Sequence, residues 1–180
     1  MIPKPEDAMR LVEKYNKEKF HLDHAKTVGD VLAHIAETHD PGREDYWKTV
    51  GYLHDIDFGL YPDEHCSKCV EILKTHGVNE QIIRSVQSHG YGICSDIEPE
   101  HIMEKYLYAI DELTGLIGAV ALVRPSGYEG MTVKSIKKKF KDRAFAAGCS
   151  RDVISRGAEM LEISLDELIS ITLSAINAIK

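Results

Sequence analysis

Residues 106–122 read YLYAIDELTGLIGAVAL. The stretch is apolar around most of a helical circumference and is interrupted by nothing stronger than glycine. It therefore predicts a helix buried on most sides, running from about Pro99 to Leu122 and lying at the centre of the fold. Asp111 stands inside it. A lone carboxylate there is costly unless it is paired or bound to a cation.

The flanking sequence supplies helices to pack around this one. Pro5–Tyr15 opens with Pro5 near its start and places Ala8, Leu11, Val12 and Tyr15 at helical spacing. His21–Glu37 carries Ala25, Val28, Leu32, Ile35 and Ala36 on one face and ends before Pro41–Gly42. Further helices are predicted over Arg43–His54, Asp63–Thr75 and Asn79–His89, the last with Asn79 as N-cap. Beyond the central helix come Thr132–Phe145, Ser150–Leu161 and a last helix opening at Ser164. No strand pattern exceeds a few residues and no repeat is present. The expected fold is all-α, a single domain over residues 1–180, with a core at about 20–124 and a helical extension at about 131–180.

A formal net charge of −7 argues against nonspecific nucleic-acid binding, which needs a basic footprint. The N-terminal residues lack the apolar core of a signal peptide, and no stretch reaches the roughly 20 apolar residues of a membrane span. Cys66, Cys69, Cys94 and Cys149 read as free thiols of a cytoplasmic protein rather than a disulfide framework. Nine histidines in 180 residues are the first compositional sign of metal chemistry.

Residues 51–59, GYLHDIDFG, set His54 beside Asp55 at the end of an apolar run. Neighbouring side chains on a helix point about 100° apart, so the two converge only on an ion lying beyond the helix end. Other polar residues fall where the helical pattern asks for apolar ones or at helix ends. His24 shares a side with Val28 and Leu32, His65 opens the fourth helix, His89 closes the fifth before Gly90, and Asp111 is buried in the central helix.

The ordered motifs HAKTV, LHDIDFG, HCSKCVEIL, VQSHGYG and YAIDELTG resemble those of the HD superfamily of metal-dependent phosphohydrolases, over about the first two thirds of the chain. The resemblance implies an HD-type helical bundle in which His24, His54, Asp55 and Asp111 bind a divalent ion, Mn²⁺, Fe²⁺, Ni²⁺, Co²⁺ or Zn²⁺. The ion would lower the pKa of a water for attack on a small phosphorylated substrate, such as a nucleotide or another phosphate ester. Asp55 would also be catalytic. His65 and His89 would either hold a second ion or contact phosphate and protonate the leaving oxygen. Two features depart from the family. Gly90 stands where the cyclic-dinucleotide branch has a second histidine, and Asp57 replaces the glycine of HDIG.

Two rival readings follow from the same residues: a di-iron HD-type oxygenase, or a non-catalytic nucleotide or metal sensor. The run KSIKKKFKDR reads as a solvated helix face or as a funnel for an anion, in which Lys134 and Lys138 would close over phosphate with Arg124. The C-x-x-C pair Cys66 and Cys69 reads as packed thiols, since neither a βαβ context nor a second pair accompanies it. His34, His39, His76 and His101 read as surface or hydrogen-bonded histidines. No organic cofactor, nucleic-acid partner or membrane partner is expected, and a homodimer is compatible with the sequence without being required by it.

Overall fold

The apolar stretch folds as the longest buried helix, beginning at Ile102 rather than Pro99. Its start is fixed by His101, whose Nδ1 accepts the Met103 N–H at 3.1 Å, while Glu104 reaches back to the His101 N–H at 3.2 Å. The computed structural model describes all 180 residues and is helical throughout, with no strand. Its helices are α1 (Pro5–Tyr15), α2 (Lys19–His39), α3 (Glu44–Leu53), α4 (Lys68–Thr75), α5 (Glu80–Ser88), α6 (Ile102–Leu122), α7 (Val133–Lys141), α8 (Arg151–Met160) and α9 (Leu165–Ile179). Residues from all nine helices pack into one hydrophobic core, so the chain forms a single all-α domain.

Around α6 the core is continuous. Leu107, Ala109, Ile110, Leu113, Leu116 and Ile117 are fully buried against Val28, Leu32 and Ile35 of α2 and residues of α8 and α9. Helices α2 and α3 approach closely. A Cβ on Gly51 would lie 2.6 Å from the Gly29 Cα, and one on Gly29 would lie 2.2 Å from the Tyr52 ring. Two facing glycines let these backbones touch, and the contact brings the start of α2 over the end of α3. Asp30 reinforces the crossing by accepting from Tyr52 at 2.8 Å and pairing with Lys48 at 2.9 Å.

The segment expected as one helix over Asp63–Thr75 is divided. A 3-10 turn at Pro62–Glu64 is followed by an irregular His65–Ser67, and α4 begins only at Lys68. Cys66 has a φ of 65°, which breaks the helix, and Asp57 Oδ2 caps the restart by accepting the Cys69 N–H at 2.8 Å. The basic helix expected to reach Phe145 stops at Lys141. Its terminal carbonyls are gathered by the buried Arg151 guanidinium, which bonds Lys139, Phe140, Asp142, Phe145, Ala146 and Cys149.

The reading of four free thiols is also corrected. Cys66 and Cys94 form a disulfide, their Cα atoms 5.9 Å apart, and only Cys69 and Cys149 are free. The turn that follows α5 makes this pairing, since the Ile93, Cys94 and Ser95 N–H groups all return to the Gly90 carbonyl. No helix is long and apolar enough to cross a membrane.

Two outcomes follow from this packing. Gly51→Ala should cost about 1–3 kcal/mol in urea unfolding by forcing α2 and α3 apart; an unchanged midpoint would refute the close crossing. The second concerns Glu104, which ties α5 to α6. Burial pushes its carboxyl up, but bonds from the Glu100 backbone, Arg84, Ser85 and the His101 backbone outweigh burial and hold it below its ordinary 4.5. A depressed carboxylate stabilises the fold above its unfolded pKa and loses that contribution as pH falls through the folded one. Glu104→Gln should therefore flatten the stability profile below about pH 4.5, measured by acid titration of the unfolding midpoint.

Candidate metal centre

Five parts of the chain deliver side chains to one point. α2 brings His24, the end of α3 brings His54 and Asp55, α6 brings Asp111, and the turn after α5 together with the segment before α4 brings His89 and His65. His24 Nε2 lies 2.8 Å from Asp111 Oδ1 and 3.9 Å from Asp55 Oδ2. His54 Nε2 lies 3.3 Å from each of the same two oxygens. The other Asp55 oxygen, Oδ1, faces the opposite way, 3.6 Å from His65 Nε2 and 3.4 Å from His89 Nε2. Asp55 thus divides the cluster in two, one carboxylate oxygen to each half.

Atoms that share an ion at about 2.1 Å stand about 3.0 Å apart at a right angle and about 3.4 Å apart in a tetrahedron. The observed separations bracket these values. The imidazoles are also set for the task. His54 Nδ1 donates to the Gly51 carbonyl at 2.7 Å, His89 Nδ1 to the Val86 carbonyl, and His65 Nδ1 to the Asp57 carboxylate at 2.8 Å. A carbonyl can only accept, so the proton of the neutral His54 and His89 rings is on Nδ1 and their Nε2 lone pairs face the cluster. His54 Nε2 is buried without a hydrogen-bond partner. An orphaned lone pair between two carboxylates fits a cation ligand, and the residues present fit a divalent metal.

Without a cation, the two carboxylates draw a proton onto His54 Nε2 instead, the proton a cation would displace. Burial alone would depress His54, but Asp55 and Asp111 outweigh it and hold its pKa well above the ordinary value. Burial likewise opposes ionisation of Asp55 and Asp111, yet His54 and its neighbouring imidazoles hold both carboxyls well below the usual range. For His65 too, burial is outweighed by Asp57 and Asp55, which raise it. Two ionised carboxylates, each only about a fifth exposed, create a standing demand for positive charge.

Several residues of this site carry no sequence signal. Asn16 caps the end of α1, is 1% exposed, and pins the HD loop. Its Nδ2 donates to the Asp55 and Ile56 carbonyls at 3.4 and 3.2 Å, and its Oδ1 accepts the Gly59 N–H at 2.8 Å. Asp57, fully buried, orients His65 with one oxygen and caps α4 with the other. Its carboxylate therefore has a defined task, which the departure from HDIG leaves open. Rings encircle Asp55. His24, His54, His89, His65, Phe58, His21 and Phe20 follow one another at centroid distances of 5.1–6.5 Å and close back on His24. Phe20 is 72% exposed on the rim.

The basic candidates lie elsewhere. Arg124 spends its guanidinium on the Gly127 and Glu129 carbonyls and on Ser126, within its own turn. Lys134 and Lys138 are exposed on α7, which packs against α9 and α6 and brings neither lysine into the cluster. Arg156 of α8 reaches instead to within 3.5 Å of the Tyr108 hydroxyl, one turn before Asp111, and pairs with no carboxylate. Of the remaining histidines, His39 and His76 bond tyrosine hydroxyls, His34 lies by Glu37, and His101 caps α6.

Comparison with protein-family models, with curated proteins and with solved structures returns no match. Asp57→Ala should free the His65 ring and weaken cation binding on that side about 10–100-fold, read by competition with a chelating dye. Undiminished affinity would show that Asp57 serves α4 alone.

Proposed function

We propose that this protein is a metal-dependent phosphohydrolase of the HD type acting on a small phosphorylated molecule, a nucleotide or another phosphate ester. The observation that carries the reading is Asp55, whose two oxygens face His24, His54 and Asp111 on one side and His65 and His89 on the other. The first group holds one divalent cation; the second holds another or contacts the phosphate. Such a cation supplies Lewis acidity and a water of lowered pKa at neutral pH.

The chain's own residues account for the remainder. Asp55, His54 and Asp111 fix the reacting phosphorus relative to the attacking water by holding the charge that faces it. A phosphoryl oxygen entering beside Asp55 meets His65 and His89; His65, its pKa raised by Asp57 and Asp55, is placed to donate a proton to the leaving oxygen, and His89 turns an Nε2 lone pair to the cluster. The exposed Phe20 ring and Phe58 offer a planar apolar surface at the rim, which suits stacking of a nucleobase.

Cation-loaded protein should hydrolyse an aryl phosphate and at least one nucleotide, and Asp55→Ala should abolish both cation binding and hydrolysis. Two irons per chain with an O₂-dependent reaction would replace the hydrolase by an oxygenase. Tight nucleotide binding without turnover would make the protein a sensor.

A further inference from the structure

His65 and His89 share their half of the cluster with a sulfur. Cys66 Sγ lies 4.0 Å from His89 Nε2, and His89 Nε2 lies 3.2 Å from His65 Nε2. These ligand atoms all lie within 4.8 Å of one another. Around a tetrahedral zinc-like ion, with sulfur at about 2.3 Å and nitrogen at about 2.05 Å, sulfur and nitrogen stand about 3.6 Å apart and two nitrogens about 3.3 Å. The chain therefore presents an S, N, N face; Asp55 Oδ1 lies within 3.6 Å of both nitrogens but is not among the atoms within 4.8 Å of the sulfur. The left-handed backbone of Cys66 turns its side chain inward, where it is 1% exposed.

The same sulfur is the one that Cys94 reaches. Cys94 lies on an exposed turn, and the two sulfurs meet over Gly90, where a Cβ would come within 2.3 Å of Cys66 Sγ and 2.4 Å of Cys94 Sγ. A sulfur committed to a disulfide is no longer a thiolate and loses its strength as a ligand. We propose that Cys66 is a thiolate ligand of the cation held by His65 and His89 beside Asp55, and that its disulfide with Cys94 closes this position, so that the second cation binds only the reduced protein. The proposal rests on the reading of Asp55, His65 and His89 as cation ligands.

The switching step balances with a low-molecular-weight disulfide, RSSR, as oxidant. The exposed Cys94 thiolate attacks one sulfur of RSSR and expels RS⁻. The Cys66 thiolate then attacks the Cys94 sulfur of the mixed disulfide and expels the second RS⁻. Two protein thiols are oxidised, RSSR is reduced to two RSH, and the two thiol protons end on the leaving thiolates. Excess RSH reverses both steps and frees Cys66.

Co²⁺ is a suitable probe, because a thiolate bound to it gives a near-ultraviolet charge-transfer band. Reduced wild-type protein should bind two Co²⁺ per chain with this band; after treatment with oxidised glutathione it should bind one and lose the band. Cys94→Ser should bind two and show the band before and after treatment, and since Cys94 is exposed the variant tests the switch without touching the core. Cys66→Ser, checked for folding by circular dichroism, should lack the band and bind the second cation at least ~10-fold more weakly. A band that survives in Cys66→Ser, or two cations on the oxidised wild type, would overturn the proposal. So would reduced wild type that binds one cation or none. Two cations with the band but no phosphatase activity would leave the proposal standing and defeat the hydrolase reading alone.

Discussion

Two ionised carboxylates held inside a helical domain set the terms for everything around them. Asp55 and Asp111 are tolerated because four imidazoles and, in the proposed holoprotein, a cation stand against them. That compensation works only at fixed separations. The surrounding helices accordingly touch where glycines allow it, Gly29 against Gly51, and loops are tied where water would otherwise loosen them, as by Asn16. The stiffness of the fold and the charge of the site are one problem with one solution.

The arrangement around Asp55 is asymmetric in chemistry as well as in place. One half offers two imidazoles and two carboxylate oxygens, a set that suits several first-row divalent ions. The other offers imidazoles, a carboxylate oxygen and a nearby sulfur, a softer set that favours zinc or iron over magnesium. Two cations bound to one bridging carboxylate would then differ in identity, affinity and sensitivity to oxidation.

Much of this was legible in the chain. The helical order could be read because apolar spacing at 3.6 residues is local, and His24, His54, Asp55 and Asp111, which the fold brings together, stood out as polar residues in apolar company. What escaped depends on partners distant in sequence. Asn16 is an ordinary helix cap until the loop 39 residues further on folds against it. Asp57 gains its meaning from two groups, at His65 and Cys69, that only a broken helix presents to it. The same break hides the cysteine pairing, since a spacing of C-x-x-C draws the eye to Cys66 with Cys69 while the turn at Gly90 delivers Cys94. Arg124 and the lysines of α7 were chosen for charge, and charge alone does not say which way a side chain points.

The sulfur pair over Gly90 also bears on what this chain can become. A histidine at position 90 beside His89 needs a side chain in the space that the two sulfurs fill. The two arrangements exclude one another within this backbone. A lineage that keeps Cys66 and Cys94 is bound to glycine at 90, and one that acquires histidine there must first shed a cysteine, so substitutions at these three positions are expected to travel together through descent.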